Sequence, residues 1–373
     1  MRGATASARG PWTVFTVGGG LSARVAPWDT SQNERSERFV KARGVVLGAW
    51  MVATSCSAAD DRGDAGVVLD APSTPAAVAR VTDATTSRWR VEPTLPVRWQ
   101  ETAGAARGDR LVVVGGYEDG EPTARVRSFA PGESRWTDEP SLPVRLHHTA
   151  VVTVGGDLYA LGGYRDDSFR AGTDAWVLRA GRAAWESVGE LPEARGAATA
   201  GVLNGRIYLV GGFGVGQRLL TSVAVFDPAA RVWTRARELP TAREHLASVV
   251  HEGRLWVFGG RLGGLSTNLV AVEVYDPASD AWTPRAPMPS PRGGFAAAVS
   301  GGVAYVLGGE EPLRALASVD ALDLTRGTWS SAPAMATPRH GFVALALGGR
   351  VWAVGGADRP VFAPINSVES LGP

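Results

Sequence analysis

Four of the chain's five histidines, His147, His148, His245 and His340, stand in short stretches that directly follow an arginine. The arginines are Arg98, Arg145, Arg195, Arg243, Arg292 and Arg339, each at nearly the same offset ahead of a Gly-Gly pair, as Arg98 before Gly115 and Arg195 before Gly211. A ring of guanidiniums at such regular positions would take a carboxylate-bearing ligand by bidentate pairing. A feature present in every unit also fits a scaffold role, with each arginine bonding backbone carbonyls. The residues after the arginines are not regular: Trp99-Gln100-Glu101, Leu146-His147-His148, Glu244-His245 and His340-Gly341 contrast with the bare Gly196 and Gly293-Gly294. Trp99, His147, His148 and His340 are therefore candidate ligand contacts, and Glu244 with His245 a candidate general acid–base pair. Polar lining of a channel is the plainer reading of the same residues. No metal or cofactor is expected, because the histidines lack ligand spacing and no acidic cluster accompanies them.

Several chemistries are excluded by composition. The only lysine is Lys41, so no Schiff-base or phosphate-loop lysine can serve the rest of the chain. Cys56 is the only cysteine, which rules out a disulfide framework and a cysteine-ligated zinc site. It also rules out copper-radical chemistry of the galactose oxidase type, which needs a cysteine joined to tyrosine. His251-Glu252 has no second histidine in the position that a zinc-protease helix would need. A formal charge of +1 on 373 residues argues against a nucleic-acid partner.

The elements that must position these residues come from a repeat. A glycine pair closes an apolar run at Gly115-Gly116, Gly162-Gly163, Gly211-Gly212, Gly259-Gly260, Gly308-Gly309 and Gly355-Gly356, with gaps of 47, 49, 48, 49 and 47 residues. Trp89, Trp136, Trp185, Trp233, Trp282 and Trp329 precede these six pairs in turn, every one at the same offset. A fixed period of this length marks one supersecondary unit repeated. In the unit from Leu191 to Leu239, Leu191-Pro192 is a turn and residues 197–202 are a strand of small residues. Asn204-Gly205 is a hairpin signal, and residues 206–210, 222–226 and 231–234 complete four short strands. Six such units predict an all-β, six-bladed propeller of four-stranded antiparallel blades. The pairs themselves read as scaffold, side-chain-free places where backbone can approach closely.

These motifs resemble the kelch repeat: Gly-Gly after an apolar strand, an aromatic three places earlier, an Asp-Pro turn, then tryptophan and Leu-Pro. The aromatic is Tyr159, Tyr208, Trp256, Tyr305 or Trp352, with Val112 the exception. Asp-Pro stands at Asp227-Pro228 and Asp276-Pro277, weakens to Ala130-Pro131 and is lost elsewhere. The resemblance covers residues 87–371. It implies that inter-blade loops and post-glycine loops emerge on one face around a central channel. It also implies a rigid, monomeric binding platform for a protein or glycan. A second implication is a carbohydrate-active enzyme resembling the N-acetylneuraminate epimerases, binding an acidic sugar among the arginines.

The last unit lacks its tryptophan-bearing strand, while residues 87–91 around Trp89 supply a surplus one at the other end. The expectation is that this strand pairs beside residues 365–371 and completes the sixth blade, hiding two edges.

Ahead of the repeats, residues 40–56 combine a basic start, an apolar run of about 11 residues and small residues before Cys56, the layout of a secretory signal too short to span a bilayer. Val52-Ala53-Thr54-Ser55-Cys56 resembles a bacterial lipobox, although Ala53 stands where leucine is usual. The resemblance implies lipidation at Cys56, a lipid anchor as the only membrane contact, and a place in the bacterial cell envelope or outside the cell. Residues 1–39 then read as a misannotated or disordered extension, and residues 57–86, rich in Ala, Asp, Thr, Pro and Val, as a flexible tether.

Overall fold

The computed structural model describes residues 13–17, 21–25 and 87–372. Segment 40–56 with Cys56, the tether 57–86 and most of residues 1–39 lie outside the described residues. Thr13–Val17 and Leu21–Val25 pair as an antiparallel hairpin in a unit of their own.

Each repeat between residues 87 and 372 contributes a four-stranded antiparallel sheet, and there are six such sheets among the described residues. The third is typical: Thr199–Leu203, Arg206–Val210, Val223–Asp227 and Val232–Ala236, paired in sequence order. Asn204 and Gly205 form its first turn with φ of 51° and 74°, the left-handed geometry that an Asn-Gly hairpin takes readily. The innermost strands touch in a circle. Ala103–Arg107 meets Ala150–Val154, and contact passes through Thr199–Leu203, Ala247–His251, Ala296–Ser300 and Val343–Leu347 back to Ala103–Arg107. Small residues on these strands answer to the crowding: a Cβ on Gly201 would run into Leu255 of the next blade.

Beyond their first residue the second strands are apolar and aromatic, because each is covered on both faces. On Arg206–Val210, Ile207 and Leu209 join the cluster shared with the second blade, while Tyr208 and Val210 join the cluster shared with the fourth. Period-two alternation thus sends one strand's side chains into two blade interfaces. Six clusters of this kind fill the interfaces.

The tryptophans tie neighbouring blades at the rim. Trp136 Nε1 donates to the Pro93 carbonyl (3.1 Å), Trp185 to Pro140 (2.7 Å), Trp282 to Arg237 (2.9 Å), Trp329 to Ala286 (3.2 Å) and Trp89 to Pro333 (2.7 Å). Trp233 is the exception, its Nε1 having no partner. Near the axis the glycine pairs do the same work. The second glycine of each pair donates its N–H to a carbonyl of the next inter-blade loop: Gly116 to Leu146, Gly163 to Arg195, Gly212 to Arg243, Gly260 to Arg292, Gly309 to Arg339 and Gly356 to Trp99. Both glycines have positive φ, for example 63° and 99° at Gly355 and Gly356, and a Cβ on Gly355 would lie 2.6 Å from the Trp99 oxygen. The pair is a blade-to-blade clasp that no side chain could occupy.

The ring closes as the repeat count predicts. Arg88–Val91 pairs antiparallel with Val368–Gly372 in the register Arg88↔Gly372 to Val91↔Glu369, and so becomes the outer strand of the sixth sheet.

Candidate functional site

Inter-blade loops and post-glycine loops share one end of the ring because both leave the same ends of their strands. The two loop sets are zipped together residue by residue. Gln100 pairs with Tyr117, His147 with Tyr164, Gly196 with Phe213, Glu244 with Arg261, Gly293 with Glu310 and His340 with Ala357. One position further along each inter-blade loop, a second row surrounds the axis: Glu101, His148, Ala197, His245, Gly294 and Gly341. All six have left-handed φ (49°, 53°, 52°, 50°, 65° and 57°). Backbone hydrogen bonds link them from blade to blade, from His148 N to Glu101 O, Ala197 N to His148 O, His245 N to Ala197 O, Gly294 N to His245 O and Gly341 N to Gly294 O.

The arginines are not part of this mouth. Arg195, Arg243, Arg292 and Arg339 are at most 1 % exposed, so the expected ring of ligand-binding guanidiniums is corrected here. Each points into its own blade and donates to a backbone carbonyl near or just past the end of the second strand, and all but Arg243 also to the residue just ahead of the third. Arg339 Nη1 reaches Gly355 O (2.8 Å) and Ser367 O (3.1 Å), and Arg292 Nη1 reaches Gly308 O (2.6 Å) and Ser318 O (3.2 Å). A carboxylate neutralises each one: Glu369 for Arg339, Asp320 for Arg292, Glu273 for Arg243 and Glu193 for Arg195. Burial pulls the Arg195 pKa down to about 10 and lowers Arg243 and Arg339 as well. The physical reason is register. Arg98 and Arg145 stand one position further ahead of their glycine pairs than the other four do, and both are exposed. Arg98 bonds Asp119 at 3.2 Å in an open surface pair, and Trp99 and Leu146 take the buried place.

Trp99 is therefore corrected too: it is fully buried core, with the Arg127 guanidinium 5.4 Å from its ring centre. In the first blade the tryptophan stands in the loop and the cation on the third strand, at the place that Glu273, Asp320 and Glu369 hold in the fourth, fifth and sixth blades. His147 is also fully buried, held at Nε2 by the Asp166 carbonyl (3.1 Å) and the Tyr117 hydroxyl (3.2 Å). Burial first, and then the neighbouring His148, pulls its pKa down to about 3.

The structure brings His148, Glu244, His245 and His340 to the axis together with three residues that the sequence did not single out as a site: Glu101, Arg261 and Glu310. Arg261 donates to Glu244 Oε1 (2.9 Å) and Glu310 Oε1 (2.8 Å), and all three are buried. The other Glu244 oxygen contacts His245 Nδ1. His148 Nε2 stands 3.2 Å from Glu101 Oε2, and His340 Nδ1 stands 3.5 Å from Glu101 Oε1. Glycine at Gly341 leaves room for this carboxylate, since a Cβ there would lie 2.5 Å from Glu101 Oε1. Burial pushes the Glu101 carboxyl up, but His148 and His340 outweigh it and hold it well below the usual carboxylate range. Burial lowers the pKa of His148 and of His245. On His340 burial also acts downward, but Glu101 overrides it and raises the pKa.

Beside the cluster is a recess of about 290 Å³, walled by Tyr164, Phe169 and Phe213 and floored by Glu244, His245 and Arg261. A second hollow, of about 310 Å³, lies at the other end of the strands among His251, Glu252, Arg254 and Arg326, away from both loop rows.

The family described as KLHDC2/KLHL20/DRC7 Kelch-repeats domain matches residues 147–356, more than half of the chain. The chain belongs to the kelch-repeat family. The kelch fold is shared with a solved structure described as that of YjhT, which is 18 % identical with a TM-score of 0.64, covering 74 % of this chain and 96 % of that one. No curated protein matches the chain. In this kelch propeller, the signal that could have revealed Glu101, Arg261 and Glu310 is their fixed offset from the glycine pairs. Arg261 and Glu310 directly follow a pair, and Glu101 precedes Gly115 by the same offset at which His148 precedes Gly162 and His245 precedes Gly259.

Proposed function

We propose that this kelch propeller is an exported binding platform, anchored to the cell envelope through a lipidated Cys56, that takes a carbohydrate or protein partner as a monomer at the mouth formed by the two loop rows. The observation that carries the reading is the recess. Three aromatic faces at Tyr164, Phe169 and Phe213 stand over the charged groups of Glu244 and Arg261 and the amide of Gln217. An apolar wall with a few fixed polar groups is the usual make-up of a small-molecule site, and it suits a sugar ring with one apolar face and a polar edge.

A thermal-shift screen against neutral sugars, sialic acid and uronic acids tests the reading. A ligand at about ten times its Kd contributes about 1.4 kcal/mol, which for a domain of this size raises the melting temperature by about 3–5 °C. Phe213→Ala is expected to abolish that shift. No shift with any sugar would remove the carbohydrate partner and leave a protein partner to be sought. The second reading, an enzyme resembling the N-acetylneuraminate epimerases, is favoured by one observation: the Glu244 carboxylate touches the His245 imidazole at the floor of the recess. Catalysed sugar interconversion seen by NMR would replace the platform reading with this one.

The anchor is tested in bacterial cells by labelling with radioactive palmitate. Label is expected on the wild-type chain and absent from Cys56→Ser. Equal labelling of both would rule out lipidation at Cys56.

A further inference from the structure

We infer that Glu101, His148 and His245 form a binding site for one divalent first-row transition ion, of the zinc class, on the propeller axis, with His340 beside it. These three side chains come from three different blades, and each offers one ligand atom within 4.8 Å of the others. Tetrahedral zinc holds its nitrogen and oxygen ligands at about 2.0–2.2 Å, and so roughly 3.3 Å from one another. The contact of 3.2 Å between His148 Nε2 and Glu101 Oε2 already has that spacing.

The hydrogen bonds on the far side of each imidazole indicate which nitrogens are free. His147 Nε2–H donates to the Asp166 carbonyl, so its Nδ1 accepts from His148 Nδ1–H across 2.7 Å. That leaves the His148 Nε2 lone pair facing Glu101. His245 Nδ1–H is taken by Glu244, which leaves its Nε2 free. His340 Nε2–H donates to the Arg359 carbonyl at 2.9 Å, which directs Nδ1 toward Glu101. His340 Nδ1 has no hydrogen-bond partner although the residue is fully buried. An imidazole held by an acceptor on one nitrogen, with the other turned to a common point, is the usual outer-shell arrangement of metal-ligating histidine.

Backbone conformation supports the assignment. All six axial positions need left-handed φ, which glycine meets at little cost and other residues meet with strain. Glycine fills this place at Gly294 and Gly341, yet Glu101, His148 and His245 carry large donor side chains there. Two imidazoles and one carboxylate suit zinc, cobalt or iron in the divalent state better than calcium or magnesium, which prefer oxygen ligands throughout.

The test uses the full chain, purified without a histidine tag, stripped with a chelator and reloaded with zinc alone. Elemental analysis after desalting is expected to find one equivalent per chain, and titration to give a single site. Cobalt in the same place is expected to show visible d–d absorption typical of a nitrogen and oxygen set. Glu101→Gln, His148→Ala and His245→Ala should each weaken zinc by about 10-fold to 100-fold or more. His251→Ala, outside the cluster, should leave affinity unchanged. Where a variant melts early, the cobalt spectrum of the wild-type chain carries the test instead. Less than a tenth of an equivalent of zinc, binding unaffected by the three substitutions, or loss equal in His251→Ala would overturn the site.

Discussion

Deletion of residues 80–93 is expected to lower the melting temperature by about 14–28 °C and to broaden or split the transition. Arg88–Val91 is the outer strand of the sixth blade, and its four register pairs with Val368–Gly372 help to join the two ends of the described ring. Net loss of about four ladder hydrogen bonds at roughly 1 kcal/mol each, with a packed tryptophan at about 3 kcal/mol, sums to about 7 kcal/mol. At about 2–4 °C per kcal/mol the shift follows. Trp89 is the key side chain, since it packs against the interface of the fifth and sixth blades and bonds Pro333. Trp89→Ala alone should show about a third to a half of the effect. The deletion also bares the edge of Val368–Gly372, so the truncated chain should aggregate on warming. Calorimetry on the two chains decides the matter, and an unchanged melting temperature would refute this closure.

Arg339→Met is expected to destabilise the propeller by about 3–5 kcal/mol, because it strands the Glu369 carboxylate inside the sixth blade without its cation. Glu369 is 2 % exposed, and its remaining donors are the backbone N–H groups of Ala336 (2.7 Å) and Thr337 (3.1 Å). Arg339→Met combined with Glu369→Leu should recover most of the loss, as buried pairs replaced together by apolar residues generally do. Arg145→Met, at an exposed position, should stay within about 0.5 kcal/mol of the wild type. Urea denaturation of the four chains gives the comparison. A loss below about 1 kcal/mol for Arg339→Met, within reach of an ordinary surface change, would mean that the guanidinium is not part of the blade. It would then return to the candidate ligand contacts.

The fold was legible because a propeller is written as a period. The six glycine pairs, the tryptophans at a constant offset ahead of them and the surplus strand at Trp89 give blade boundaries and closure without any tertiary information. Each of these features acts between neighbours in the chain or between equivalent positions of adjacent repeats, so spacing alone reveals it. The arginines show where that reasoning stops. Moving an arginine by a single position relative to its glycine pair, as between Arg195 and Arg145, turns a buried blade pin into an exposed surface charge. In an extended segment, successive side chains point to opposite sides.

The candidate site lay beyond reach for a related reason. Glu101, His148 and His245 are far apart in the chain, in three different repeats, and share no ligand motif. They meet because the ring brings the same point of three loops to one axis. By itself the sequence determined the kelch fold, the closing strand and the loops that would differ from blade to blade. Only the tertiary structure decided that four arginines place their charge inside the blades, and that two histidines and a glutamate converge at the centre. Periodic packing is a local property repeated along the chain, whereas convergence on an axis exists only once the circle is closed.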